Sequence, residues 1–287
     1  MAETGQQTGG ERIAKIMARA GLCSRREAER WCAQGRVRVD GKVLEGPAFV
    51  VAPGAEVAVD GVVLGAVEAT RLWRYHKTRG LLTTHSDPQG RPTVFDGFPE
   101  QLPRLISVGR LDMASEGLLM LTNDGALARH MELPQTGWTR RYRVRVHGRV
   151  VDDELARLAE GVTVSGLHYG PIEAKLERQT GSNAWLTVAL REGKNRELRR
   201  VMEHLGYQVN RLIRTAYGPF QLGRLTPGEF EEVSARVGAD QLPDFFAAAK
   251  TNSRSWAKPA QKKSGIRRAK KTVRRKKTGG GRADSRR

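Results

Sequence analysis

The chain has 287 residues and holds 50 Lys and Arg against 31 Asp and Glu, which gives a formal net charge of +19. This length exceeds one average domain, so we expect two folded units and an appendage. No apolar run is long enough to cross a bilayer, and MAETGQQTGGER lacks a hydrophobic signal core. We therefore expect a cytoplasmic protein and not a membrane-spanning or secreted one.

Residues 11–64 predict a compact α+β module that follows a flexible segment at 1–10. Apolar residues at helical spacing over 13–20 predict a first helix, and Ser24 with Glu27 forms a capping box that begins a second helix. Valines then alternate around two Asp-Gly dipeptides, a pattern typical of short paired strands.

Cys23 and Cys32 are the only cysteines in the chain, and both fall in the predicted helix pair. No histidine lies near them in sequence to complete a metal site. We expect free buried thiols and no metal. A disulfide is open geometrically, but a reducing compartment and a sizeable core make it unnecessary.

A linker at 65–70 is predicted to lead into a larger domain over 71–247. Strand patterns dominate this domain, at 72–76, 105–108, 118–122, 141–147 and 185–190. Helical patterns begin at Asp152 and cover 196–205. The sequence therefore predicts an α+β domain with a mixed, mainly antiparallel sheet. It has no phosphate-loop or dinucleotide glycine motif, so we expect no cofactor.

The basic charge is concentrated at the carboxyl end of the chain. Sixteen Lys or Arg occur over 250–287 against one acid, whereas the first 249 residues hold 34 against 30. Because this segment is poor in apolar residues, we predict a disordered basic tail over 248–287. Its charges favour contact with nucleic-acid phosphates over a merely solubilising role.

The stretch ISVGRLDMASEGLLMLTNDG places Asp112 in a loop between two predicted strands. Rigid neighbouring strands fix the position of a loop carboxylate, which suits a catalytic group. On its own, however, a loop aspartate is more often a turn former or cap.

The module at 11–64 resembles the S4 RNA-binding domain, on the helix pair, the SRREAE cap and the GRVRVDGKV strand. The resemblance implies that its basic helix face binds structured RNA, mainly through phosphates and shape. An ordinary solvated face is the alternative. The expected RNA-binding residues of the module are Arg12, Lys15, Arg19, Arg25 and Arg26.

Residues 11–233 resemble the RsuA/RluB-type RNA pseudouridine synthases, through GRLD and GLLMLTNDG and then WTRRYRVRVHG and GKNRELR. The resemblance implies that Asp112 is the essential aspartate, that Tyr142 lies beside the target base, and that Arg199 pairs with Asp112. Without the resemblance, the strand pattern predicts that Tyr142 packs in the core. The further substrate and RNA contacts implied in these motifs are Arg110, Lys194, Arg196, Leu212 and Arg214.

The implied reaction breaks the bond between ribose and the uracil nitrogen, turns the base and rejoins it through a ring carbon, without metal or redox cofactor. The uridine must be flipped out of its stack to reach Asp112. Asp112 would act as a nucleophile or as an ion-stabilising carboxylate at the sugar, positioned by Arg199, and Tyr142 would assist removal of the ring-carbon proton. Attack on the base and removal of a sugar proton are the alternatives for the Asp112 step.

The target RNA and the class of function remain open at this level. The target is expected in 23S ribosomal RNA, as in RluB-type enzymes, with 16S ribosomal RNA as the alternative. A non-catalytic ribosome-assembly factor and a DNA-binding protein are competing hypotheses, and a monomer is expected. One motif departs from the family pattern, because Tyr75-His76-Lys77-Thr78 stands where relatives usually have Asn-Lys-Pro. Near the end of the domain, LTPGEFEEV predicts a helix that is capped by Thr226 and has Pro227 at its first position.

Overall fold

The structure is a computed structural model that describes residues 10–65 and 68–246. The strands are β1 (Glu11–Arg12), β2 (Val37–Val39), β3 (Lys42–Val43), β4 (Val50–Val51), β5 (Val57–Val59), β6 (Val62–Val63), β7 (Leu72–Lys77), β8 (Ile106–Val108), β9 (Glu116–Thr122), β10 (Arg140–His147), β11 (Val162–Val164), β12 (Leu167–Tyr169), β13 (Ile172–Thr180), β14 (Asn183–Leu190), β15 (Gln208–Tyr217), β16 (Phe220–Gln221) and β17 (Phe230–Glu232). The α-helices are α1 (Ile13–Arg19), α2 (Arg25–Ala33), α3 (Gly125–Glu132), α4 (Asp152–Arg157), α5 (Glu197–His204), α6 (Ala235–Gln241) and α7 (Pro243–Phe246).

The amino-terminal module contains the predicted helix pair and four-stranded sheet. The Ser24 hydroxyl accepts a hydrogen bond from the Glu27 amide at 3.2 Å, and the Glu27 carboxylate accepts one from the Ser24 amide at 2.9 Å, which confirms the capping box. The sheet has the order β3-β2-β5-β6, and Cys23 and Cys32 are free and buried in the module core. A pairing of β1 with β4 was not predicted.

The larger domain is built on a nine-stranded sheet with the path β13-β14-β10-β15-β9-β7-β17, to which β8 and β16 add at β9 and β15. Within this sheet only β9 and β15 pair in parallel, among the residues described, and the other pairings are antiparallel. The predicted mixed, mainly antiparallel sheet is therefore confirmed.

The two halves of the sheet are covered differently. Residues of α4 and α5 pack with the buried valines of β10 in one apolar cluster. In the β9 half, Leu118 and Met120 pack with α3 and α7, while Leu119 and Leu121 pack with residues of the loop that precedes β8. Because β9 is covered on both faces, its sequence is an uninterrupted apolar run.

Two features differ from expectation. The predicted helix after Thr226 is wrong, because the Thr226 amide and hydroxyl donate to the Glu229 carboxylate in a turn and the chain continues into β17. Two long strands of the sheet were not predicted from the sequence: β13 forms one edge of the sheet, and β15 lies in its middle. Residues 1–9 and 247–287 lie outside the described residues, and they include nearly all of the segment predicted to be flexible (1–10) and the whole of the predicted basic tail (248–287). No described helix has the length and apolarity needed to cross a membrane.

Candidate active site

A cavity of about 530 Å³ opens where the loop before β9, the strands β10 and β15 and the start of α5 meet. Most of the site residues that the sequence predicted line this cavity. Those that line it are Arg110, Asp112, Tyr142, Lys194, Arg196, Leu212 and Arg214. Arg199 does not line it, and the basic residues predicted to bind RNA in the amino-terminal module lie on β1, α1 and α2.

Asp112 lies on a loop that is held by backbone hydrogen bonds at nearly every residue. Their donors and acceptors come from separate parts of the domain. The Gly109 amide donates to the Glu132 carboxylate at 2.7 Å. The Leu111 carbonyl accepts from the Thr83 hydroxyl at 2.8 Å, and the Met113 carbonyl accepts from the Gly80 amide at 2.8 Å. The Ala114 carbonyl accepts from the Arg199 guanidinium at 3.0 Å. A catalytic group needs such support to hold its geometry before substrate arrives.

Lys77 supplies a further support that sequence reasoning missed. The side chain is fully buried at the end of β7, and its ammonium donates to the Thr78 and Ser115 carbonyls, each at 2.9 Å. Burial lowers the pKa of Lys77 to about 8, although the carboxylates of Asp112 and Glu116 act against that shift. The lysine therefore fixes the end of the Asp112 loop through backbone oxygens.

The predicted pairing of Arg199 with Asp112 is not made in the structure. Arg196 takes that place, with its Nη1 atom 3.8 Å from Oδ2 of Asp112. Arg199 is held behind the loop because two carbonyls, those of Ala114 and Val209, accept from its guanidinium. Burial and the charge of Arg196 lower the pKa of Arg199, and the charge of Asp112 opposes this. Arg199 therefore positions the loop that carries Asp112.

Tyr142, Leu212 and Arg214 form the opposite wall of the cavity. Tyr142 pairs with Arg214 in the β10–β15 ladder and is only partly buried. Arg214 is 3% exposed, and its Nε atom donates to the Leu118 carbonyl at 2.7 Å. Its Nη2 atom has no hydrogen-bond partner among the described residues. A buried guanidinium nitrogen in the wall is thus available to a bound polar group.

The aromatic ring of Tyr217 contacts two arginines in the lining of the cavity. The guanidinium carbons of Arg140 and Arg214 each lie 5.0 Å from the ring centroid. The Tyr217 hydroxyl donates to the Met131 carbonyl at 2.8 Å, which fixes the ring. These cation–π contacts keep two positive charges close together inside the wall.

Glu197 is a buried carboxylate in this cavity that sequence reasoning also missed. It is the first residue of α5, and its Oε2 atom accepts from the Lys194 amide at 2.9 Å. Burial raises the pKa of Glu197, and the Lys194 amide opposes that shift. With Arg and Lys outnumbering carboxylates in the described lining, the cavity suits a polyanionic substrate.

Most of the basic residues predicted on the amino-terminal module reach solvent. Arg12, Arg19, Arg25 and Arg26 are exposed, whereas Lys15 is half-buried and forms an ion pair with Glu11. Four of the five predicted side chains are therefore accessible to solvent.

Comparison with known proteins identifies the family. The S4 domain model matches residues 11–57, and the RNA pseudouridylate synthase model matches residues 71–204. A Rickettsia felis protein named as an uncharacterized RNA pseudouridine synthase is 45% identical over 227 residues, which cover 79% of this chain and 98% of the relative. The chain belongs to the RNA pseudouridine synthase family.

Further similarities agree with this membership. The ribosomal large subunit pseudouridine synthase B of Pasteurella multocida is 44% identical, over 78% of this chain and 67% of that protein. A crystal structure of a pseudouridylate synthase superposes with a TM-score of 0.56 at 25% identity, over 79% of this chain and 97% of that one. The expected RNA-modifying isomerase, the S4 domain and the pseudouridine synthase fold are confirmed.

Proposed function

We propose that this pseudouridine synthase isomerises one uridine of 23S ribosomal RNA, and that Asp112 is its catalytic carboxylate. The observation that carries the proposal is the Asp112 loop, which the buried Lys77 and the half-buried Arg199 fix in the lining of a basic cavity. Relatives from Pasteurella multocida and Haemophilus influenzae, both named ribosomal large subunit pseudouridine synthase B, support the large-subunit target. A 16S target is the alternative.

Each cavity residue has a role in this proposal. Asp112 acts at the ribose carbon while the bond between that carbon and the uracil nitrogen breaks. Arg196 stabilises the Asp112 carboxylate. The released uracil turns so that its C5 atom bonds to the same ribose carbon, and the C5 proton is then lost while a nitrogen proton is gained. Tyr142 lies against the flipped base and assists that proton transfer.

The rest of the cavity holds the base and the RNA strand. Leu212 supplies an apolar contact to the uracil ring, and Arg214 donates from its free Nη2 atom to a carbonyl oxygen or phosphate. Arg110 and Lys194 bind neighbouring phosphates at the rim. The enzyme acts in the cytoplasm as a monomer, needs no cofactor, and uses residues 11–64 as its RNA-binding module and 71–247 as its catalytic domain.

The experiment that tests the target is a map of pseudouridine in 23S and 16S RNA from cells that lack this gene. We expect one 23S site to disappear, and to return with the wild-type gene but not with Asp112→Asn. Loss of a 16S site would replace the proposed target. If no site depends on the gene, the non-catalytic assembly hypothesis takes precedence.

The two arginines near Asp112 are expected to differ when they are replaced. Arg199→Gln removes a half-buried donor to the Ala114 carbonyl, so we expect a single-turnover rate about a hundredfold lower and a lower melting temperature. Arg196→Gln removes an exposed partner, so we expect a rate about tenfold lower and an unchanged melting temperature. Equal losses of stability in the two variants would contradict these separate roles.

A further inference from the structure

One face of the sheet is rich in arginine and turns away from the cavity. Arg141, Arg143 and Arg145 are exposed on β10, where they alternate with the buried or half-buried Tyr142, Val144 and Val146. Side chains of a strand alternate between the two faces of a sheet. Since Tyr142 lines the cavity, the three arginines lie on the opposite face.

The neighbouring strands add further positive charge to this surface, which we call the arginine face. Arg211 of β15 lies directly opposite Arg145, and β13 contributes the exposed Lys175 and Arg178. Like charges directly opposite in an antiparallel pair are destabilising. Because Arg211 is paired with Glu116, this cost is small here, and Arg145 is left without a carboxylate opposite it in the ladder.

Two carboxylates near the arginine face are occupied, and Glu173 of β13, which lies two strands away from Arg141, is exposed and forms no ion pair with a described residue. Glu177 accepts from Arg143 at 2.8 Å, and Glu116 accepts from Arg211 at 2.7 Å. Arg141 and Arg145 form no ion pair with any described residue. Two exposed guanidinium groups on one strand are thus left for an external partner.

An aromatic ring completes the surface. Trp185 of β14 is half-buried, pairs with Arg145 across the ladder, and has the Arg143 guanidinium 4.4 Å from its ring centroid. An ordinary solvated face of an antiparallel sheet mixes both signs of charge without an excess of one. Arginines interleaved with an aromatic ring suit a nucleic-acid backbone instead.

We propose that the arginine face binds the phosphate backbone of an RNA segment other than the one that carries the target uridine. Residues i and i+2 of a strand are roughly 7 Å apart, so Arg141, Arg143 and Arg145 form a row that can contact successive phosphates. The chain's own tail is no competitor, because it is itself strongly basic. The proposal rests on the proposed ribosomal RNA substrate, and adds a second contact that anchors the enzyme on a large folded RNA.

The test compares two double variants of the full-length chain. Arg141→Gln with Arg145→Gln removes the two arginines without ion pairs and leaves Arg143, which packs on Trp185. The matched control, Arg157→Gln with Arg236→Gln, removes the same charge from exposed positions on α4 and α6. Affinity for a 23S RNA transcript is measured at several KCl concentrations, and the conversion rate is measured with enzyme in saturating excess.

We expect the first variant to bind about tenfold more weakly at physiological salt, with a salt slope lower by about 1.5, as loss of two phosphate contacts implies. Its saturated conversion rate should equal that of the wild type. An RNA affinity and a salt slope equal to those of the control pair would overturn the proposal. That result would favour an acidic protein surface as the partner of the arginine face. A lost saturated rate would also overturn it, by placing these arginines in the catalytic cleft.

The same measurements separate this proposal from the proposed function. If the wild-type enzyme binds the transcript but converts no uridine in it, the 23S target is wrong, while the difference in salt slope still reports on the arginine face. Equal melting temperatures for the two double variants and the wild type establish that folding is intact.

Discussion

Replacing Asp112 with Asn is expected to reduce pseudouridine formation by at least about a thousandfold, because an amide neither attacks nor stabilises the ribose carbon as a carboxylate does. The side chain keeps its size, and the loop keeps its supports from Lys77, Thr83 and Arg199. RNA affinity should therefore stay within about twofold of the wild type. Single-turnover conversion and equilibrium binding on the same 23S transcript measure both quantities.

Asp153→Asn is the matched control for this variant, since Asp153 is exposed on α4 and lies outside the cavity lining. The control should convert uridine at the wild-type rate. Turnover by Asp112→Asn at a rate close to that of the control would remove Asp112 from the catalytic role. A large loss of RNA affinity would instead show that its carboxylate is needed to shape the binding surface.

Local signals in the sequence were sufficient for much of the fold. The Ser24 capping box marks α2, and the alternation of polar and apolar residues marks β10, because both depend on residues close together in the chain. The position of Asp112 in a loop between β8 and β9 follows from the two apolar runs around it. These features needed no knowledge of tertiary contacts.

The features that were missed depend on contacts between distant segments. Strand β15 contains Arg211 and Arg214, and its pattern gives no clean alternation because Arg214 is buried by Leu118 and Tyr217 from elsewhere in the domain. Lysine is almost never fully buried, so nothing local predicted that Lys77 would hold the Asp112 loop. Arg196 lies beside Asp112 where Arg199 was predicted, and its left-handed conformation, with φ 50° just before α5, is uncommon for arginine and was equally unforeseen.

The junction of β9 and β15 is the point at which the two sides of the cavity meet. Gly117 pairs with Arg214 there, one residue after the paired carboxylate Glu116. Its φ is +102°, and a Cβ atom at this position would lie 2.3 Å from the Arg214 carbonyl oxygen and 2.6 Å from the Arg214 nitrogen. Backbone atoms cannot move aside as a flexible side chain can, so only glycine permits this parallel pairing.

Gly117→Ala is therefore expected to destabilise the domain by about 3 kcal/mol or more, which combines backbone strain with displacement of β15. For a chain of this size the melting temperature should fall by roughly 10 °C. Gly125→Ala is the matched control, because a Cβ atom there meets only Ile106 Cδ1 at 3.7 Å and alanine favours the start of α3. Thermal unfolding of both variants measures the difference.

Activity should fall together with stability in Gly117→Ala, even at temperatures where the variant remains folded. Moving β15 away from β9 shifts Leu212 and Arg214 relative to the loop of Asp112, and a displacement of about 1 Å can cost a hundredfold in rate. A variant with a wild-type melting temperature would contradict the argument for the β9–β15 contact. A folded variant with a wild-type rate would show instead that the spacing between the Asp112 loop and the Arg214 wall tolerates change, so the chemistry would depend on the loop supports alone.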